Sequence, residues 1–271
     1  MLENVYRKGE NTAFAVFLLK FVEIPWEVRY NSMVIDAGSL DFRALNDTLR
    51  KAEEDCRVVG CRGQRFIAAG MAEKNITIDG IPGNALGAYL NGAHITVNGN
   101  GQDAVGDTMN EGTIIIHGSI GDAAGYAMRG GRIFVQGNAG YRAGIHMKAY
   151  KEKMPVMVIG GSAGSFLGEY QAGGVIVVLG LGLQGKKIVG YFPCTGMHGG
   201  KIFLRAHCGD VKFPDQVTAR PAKAADMEEL QVYVREYCGV FGYDMATVLH
   251  APFTVVTPDS KNPYKQMYVA N

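Results

Sequence analysis

A short strand-like segment closes on a glycine again and again along the middle of this chain, at a spacing that hardly varies. Such segments end at Gly80 (ITIDG), Gly99 (ITVNG), Gly118 (IIIHG), Gly137 (IFVQG), Gly161 (MVIGG) and Gly180 (IVVLG), and a last copy, IFLRA, ends at Ala206. Successive intervals are 19, 19, 19, 24, 19 and 26 residues, so the two long ones are one repeat plus five and one repeat plus seven. Four and two residues before each end lie Ile76/Ile78, Ile95/Val97, Ile114/Ile116, Ile133/Val135, Met157/Ile159, Ile176/Val178 and Ile202/Leu204. Period-2 spacing puts both members of a pair on one face of a strand. A unit with one short strand cannot bury that face alone, whereas units stacked about 4.8 Å apart join the pairs into continuous internal ladders.

Glycines recur in register inside the units: Gly80/Gly83/Gly87, Gly118/Gly121/Gly125, Gly137/Gly140/Gly144 and Gly161/Gly164/Gly168 all read G-x2-G-x3-G. Bends with positive φ penalise any Cβ, which suggests corners at these sites. In a bundle of antiparallel hairpins the spacing would drift. A constant 19 residues, with room for connections of about a dozen, favours parallel strands. The spacing predicts a mainly β protein, a parallel β-helix of about seven coils over 76–206 with small α/β caps at both ends.

A solenoid leaves open edges, and both flanks look suited to closing them. In 33–75, Met33 to Ile35 reads as a strand, Asp41 can N-cap a helix carrying Leu45 and Leu49, and short strands are expected near Val58 and Phe66. In 207–271, Asp226 to Tyr237 reads as a helix with Met227, Leu230 and Val234 inward, ended by Gly239, and Pro252 to Val256 as extended. Residues 1–32 form an extension whose apolar stretch, Ala13 to Val22, is too short to span a bilayer.

The charge balance, 27 Lys+Arg against 26 Asp+Glu, gives no reason to expect a nucleic acid or a membrane surface as partner. Five irregularly spaced cysteines, with no evident secretory leader, point to a reducing cytoplasm. Cys56 and Cys61 are separated by four residues, a spacing that suits no common zinc or iron–sulfur pair.

The segments GNALGAYLNG, GDTMNEGTIIIHGSIGDAAGYAMRGGRIFVQGNAGYRAGIHMK, GGSAGSFLGEYQAGGVIVVLGLG and CTGMHGG resemble the GXGXG domain at the C-terminal end of the glutamate synthase large subunit. They also resemble the subunit of formylmethanofuran dehydrogenase that shares this domain. The likeness runs from about Met33 to Arg205 and, more weakly, into the C-terminal helix. It implies a right-handed β-helix that braces catalytic partners and holds no catalytic, cofactor or metal residue of its own. FMN and the iron–sulfur cluster would sit in the partners, which for a glutamate synthase-type complex are amidotransferase and synthase subunits. A formylmethanofuran or N-methylglutamate synthase-type complex is the alternative, and a homo-oligomer is a further option.

Several motifs invite a catalytic reading. Gly180-Leu-Gly-Leu-Gln-Gly185 matches the dinucleotide fingerprint, but Gly190 and Pro193 follow where its helix should begin. Gly185-Lys186-Lys187 lacks the Ser/Thr of a P-loop. Gly160-Gly-Ser-Ala-Gly164 matches a nucleophile elbow, yet the equivalent corner elsewhere holds Ser119-Ile120 and Asn138-Ala139, so Ser162 fills a turn slot. His94 and His117 occupy different offsets and cannot form a ligand ladder, while His146 and His198 are expected to face solvent or bond to backbone. An independent enzyme would place its site in the loops Lys148–Pro155 or Leu181–Gly199.

One stripe points outward. Three residues before each strand end the series runs Thr77, Thr96, Ile115, Phe134, Val158, Val177 and Phe203, changing from polar to apolar. An apolar stripe of that length must be covered, either by the C-terminal helix folding back or by a partner whose interface would be Ile115, Phe134, Val158, Val177 and Phe203.

Overall fold

The structure, a computed structural model, describes residues 32–259. The expected extension before Ser32 lies outside the described residues. Nine parallel strands stack in chain order: β1 (Ser32–Asp36), β2 (Asp55–Arg62), β3 (Asn75–Ile81), β4 (Asn91–Asn98), β5 (Glu111–Ile116), β6 (Arg132–Val135), β7 (Val156–Ile159), β8 (Ala172–Val178) and β9 (Gly199–Leu204). They delimit eight turns of a β-solenoid, and the registers keep the period of the sequence: His94 opposes Thr113, Thr113 opposes Arg132 and Arg132 opposes Val156.

Every inward pair from Ile76/Ile78 to Ile202/Leu204 is buried in one continuous core. Each such side chain is worth about 1.5–3 kcal/mol relative to exposure, so the ladder is the main source of stability. The ladder extends further back than the glycine pattern shows. Cys56 and Val58 of β2 oppose Ile76 and Ile78, and Met33 and Ile35 of β1 oppose Cys56 and Val58. The stretch expected as an N-terminal cap is therefore solenoid itself, while Phe66 lies in a turn rather than a strand, with φ of 57°. Between β1 and β2, helix α1 (Phe42–Lys51) turns Leu45, Asn46 and Leu49 inward, with Asp41 Oδ1 accepting from Arg43 N at 2.9 Å and Ala44 N at 2.8 Å.

At the other end the chain changes direction. Strand β11 (Thr254–Pro258) lies antiparallel on β9, and β10 (Val217–Pro221) lies antiparallel on β11. Val256 thus takes the place opposite Ile202 and prolongs the internal ladder. Helix α2 (Ala224–Phe241) runs through Gly239 and stops where Gly242 adopts a left-handed φ of 72°; the short α3 (Met245–Leu249) follows. Leu230, Tyr233, Val234 and Tyr237 form the buried face of α2.

Candidate functional site

The turn segments carry the least ordinary backbone in the molecule. Three left-handed residues alternate with ordinary ones in each coil, as in Ala85/Gly87/Tyr89, Arg142/Gly144/His146, Phe166/Gly168/Tyr170 and Phe192/Cys194/Gly196. The alternation turns successive N–H groups opposite ways. Ala85 and Tyr89 donate to Asp103 O and Asp107 O of the next coil, at 2.8 and 2.7 Å, while Gly87 donates back to Ile67 O at 2.8 Å. Of the three, only the middle position points into the core. The flanking positions point outward and accept side chains at a cost of roughly 1–2 kcal/mol each.

The glycines of G-x2-G-x3-G divide by cause, and the expectation that all of them are positive-φ bends is corrected. It holds at the third, where Gly87, Gly125, Gly144 and Gly168 have φ between 65° and 73° and a Cβ would strike the inward side chains of Ile114, Met157, Ile176 and Ile202. The middle ones, Gly83, Gly121, Gly140 and Gly164, have no left-handed φ. Their cause is close approach: a Cβ would meet the coil before, at Gly63 O for Gly83, Asp103 Oδ1 for Gly121, Asp122 Oδ1 and then Gly121 O for Gly140, and Gly140 O for Gly164. At the first position Gly118, Gly137 and Gly161 likewise press on Gly99 O, Gly118 O and Gly137 O. Gly80 departs from the rest, since it lies within β3 rather than at a corner, with φ of 131°. Beside the middle glycines, polar side chains hand each coil to the next: Asp103 Oδ1 accepts from Asp122 N at 2.9 Å, and Asp122 Oδ1 from Tyr141 N at 2.7 Å.

On the last coils the outward positions gather aromatic rings. His146 stacks on Tyr170, with centroids 5.1 Å apart and planes at 11°, and receives the Tyr126 ring edge-on at 5.9 Å. Tyr141, Phe166 and Phe192 follow one another at 5.2 and 5.3 Å. Between the two columns Arg142 sits over the rings of Tyr141 and Phe166, and its Nε lies 2.6 Å from Oε2 of the buried Glu169, an ion pair rather than an aligned hydrogen bond. Tyr191 and Phe192 remain 69% and 61% exposed. Exposed Tyr, Phe and Arg on a rigid frame are the composition of a protein-binding surface. The strand pattern gave no hint of it; the signal was the recurring aromatic or histidine in GAY, GYA, GIH and GEY just after the third glycine.

The outer stripe is closed by the chain itself. Ile115 is 6% exposed, and Phe134, Val158, Val177 and Phe203 are fully buried. Helix α2 lies across them, anchored by Arg132 Nε to Glu236 Oε2 at 2.8 Å, by the Lys201–Glu229 pair and by Tyr237 seated over Gly160. Edge-on contact of His117 with Phe241, at 5.2 Å, secures its C-terminal end. The partner interface expected at these five residues is thereby corrected: an apolar face with a helix of its own chain upon it is not open to another subunit.

The tempting motifs all have structural occupations. Ser162 Oγ donates to Asn138 Oδ1 at 3.0 Å, inside the turn. No helix follows Gly185, and the loop 180–187 runs on as turns. His198 Nδ1 lies 3.0 Å from Gly196 O, and burial lowers the pKa of His94. All five cysteines are buried, and burial pushes the Cys194 thiol up to about 12 and Cys238 to about 11. Cys61 Sγ contacts Gln64 Oε1 at 3.4 Å. In the loop 148–155, Tyr150 and Lys153 pair with each other and Lys153 Nζ meets Glu111 Oε2 at 2.7 Å. Among the described residues no three His, Cys, Asp or Glu side chains converge as a metal site, and no helix is long and apolar enough to cross a membrane.

The profile of the GXGXG motif family matches residues 53–260. An uncharacterized protein of Methanocaldococcus jannaschii, MJ1350, is 42% identical over 250 residues, covering 87% of this chain and 96% of its own. Among solved structures, a chain of the formyltransferase/hydrolase complex FhcABCD from Methylorubrum extorquens, crystallised with methylofuran, superposes with a TM-score of 0.60 at 18% identity. The superposition covers 84% of this chain and 91% of that one.

Proposed function

We propose, from the premise that this chain belongs to the GXGXG motif family, that it is a non-catalytic structural subunit of a multi-subunit complex, of the formyltransferase/hydrolase kind related to formylmethanofuran. The observation that carries the reading is the exposed aromatic and arginine face on the last coils of an otherwise aliphatic, rigidly laddered solenoid. Groups capable of chemistry serve the architecture: Ser162 on Asn138, His198 on a backbone carbonyl, the thiols inside the core. A rigid body with a displayed aromatic patch positions other proteins.

The fold-level match, which spans nearly the whole of a chain taken from such a complex, supports this choice of assembly. A second reading rests on the motif segments, which resemble the C-terminal domain of the glutamate synthase large subunit. In that case the partners are amidotransferase and synthase chains, and FMN and the iron–sulfur cluster belong to them. Five free thiols support a cytoplasmic place for either complex.

Isolation of the native protein from its own cells at low salt, followed by mass spectrometry of what travels with it, tests the reading. Co-purifying formyltransferase and hydrolase chains support the first assignment, and amidotransferase with a flavin synthase chain supports the second. A protein that purifies alone and turns over a substrate by itself overturns both.

A further inference from the structure

The two ends of the corner ladder are finished differently. On the first rung, helix α1 closes the open edge: Asn46 Oδ1 accepts from Ala68 N–H at 2.9 Å, its Nδ2 donates to Phe66 O at 3.0 Å, and Arg50 Nη2 reaches Ala69 O at 3.4 Å. Neighbouring backbone groups of a rung's free edge are thus answered by one helix, as management of an exposed edge requires.

On the last rung, Phe192 and Gly196 hold the places of Ala85 and Tyr89, whose N–H groups point to the next coil, and the Pro193 carbonyl holds the place of the acceptor Ile67 O. Among the described residues, neither N–H meets an acceptor and the carbonyl meets no donor. The row is laid out in the register that every lower rung uses to bind its successor. Lys187 Nζ sits 5.5 Å above the exposed ring of Tyr191, next to Phe192, and the same lysine lines, with Lys186, Arg205 and His207, a cavity of about 220 Å³ whose one carboxylate is Asp210.

We propose that this last rung is a docking edge for an acidic segment of a partner subunit, which adopts the turn of a coil and completes the ladder as one more rung. Two of its carbonyls, four residues apart, accept from Phe192 and Gly196, and its carboxylates face Lys187 beside Tyr191. Positive charge around free donors selects an acidic occupant over a second copy of this end, which would bring the same lysines together. The inference rests on the reading of this chain as a subunit, but their tests part company. Co-purification can succeed with this edge bare, and a segment can bind it in a chain that purifies alone.

A suitable probe is a rung of this chain: a synthetic peptide of sequence GQDAVGDTMN, residues 101–110, whose Asp103 O, Gly106 N–H and Asp107 O already cap Ala85, Leu86 and Tyr89. Amide exchange is followed on the full chain with and without it. The amides of Phe192 and Gly196 are expected to exchange fast alone and about tenfold or more slowly with the peptide, while those of Ala85, Tyr89, Arg142 and His146 stay slow throughout. A peptide with both aspartates replaced by lysine, or the chain variant K186E/K187E, checked for an unchanged melting temperature, loses the effect. The proposal fails if Phe192 and Gly196 are already as slow as the lower rungs, if the acidic peptide protects nothing, or if light scattering shows protection arising from self-association.

Discussion

Single residues in this protein are chosen by what lies in the coil above or below. At Gly144 a left-handed φ of 73° coincides with a Cβ direction that runs into Ile176. Gly144→Ala therefore adds backbone strain of roughly 1–2 kcal/mol to overpacking of about 1–3 kcal/mol, and urea unfolding should show a loss of about 2–5 kcal/mol. Ala123 has the same handedness, φ 53°, but its Cβ points outward, so Ala123→Gly should stay within about 1 kcal/mol of the parent. Asn46 makes a different contribution. Asn46→Leu leaves Ala68 N–H without a partner and Phe66 O with Ala69 N–H alone, expected to cost about 1–3 kcal/mol and to speed amide exchange at 66–70 while sparing the central rungs.

Among the elements, helix α2 decides whether the outer stripe is protein interior or surface. Its first turn is held by Asp226, which takes Arg220 Nη1 at 2.6 Å and Lys223 N at 2.8 Å and faces Lys201 at 3.9 Å. The hydrogen bond from Arg220, above all, holds the Asp226 carboxyl down at about 2, from its ordinary 3.8. A depressed carboxyl contributes stability that is complete above its unfolded value and is lost as pH falls through its folded one. Urea midpoints should thus decline from about pH 4 towards pH 2. Asp226→Asn should be less stable at pH 7 and flatter across that window, the difference between the two curves separating Asp226 from Asp79, whose pKa is also lowered by Asn98 and Arg57. Leu230→Asp should lift the helix from Phe134, Val158 and Val177, and the bared stripe should be seen as association in light scattering.

For the molecule as a whole, stability is nearest-neighbour, because each coil touches chiefly the ones above and below. Ile133, fully buried mid-ladder, should lose about 2–5 kcal/mol on truncation to alanine, whereas Met33, 41% exposed at the first strand, should lose well under that. Denaturant titrations of the two variants decide it, and equal losses would mean that the coils do not share one graded ladder. The ends are closed differently: one by α1, the other by β11 and β10 on the sheet, while on its corner Phe192 N–H and Gly196 N–H meet no acceptor among the described residues.

The recurring 19-residue interval and the aliphatic pairs were enough to determine the solenoid, its strand registers and its core over 76–206, because a repeat that must bury period-2 faces does so by stacking. Asp41 as N-cap and Leu45 and Leu49 as the buried face of α1 were legible for the same local reasons. What the sequence left open were matters of contact between distant parts. The glycine pattern marked the corners without separating those that need a left-handed φ, such as Gly125 and Gly168, from those that need only room beside the coil before, such as Gly83. The first two rungs were hidden because their intervals depart from the repeat, 20 residues from Val58 to Ile78 and 23 from Ile35 to Val58, and α1 stands where the first would have its corner. The aromatic columns were invisible because their members lie a full coil apart in sequence and meet only when coils stack. Whether the apolar stripe from Ile115 to Phe203 faced a partner or its own helix depended on the path of a chain segment more than a hundred residues beyond Ile115. Only the folded chain decided that, since the apolar area that drives α2 onto the stripe exists once the strands have assembled it.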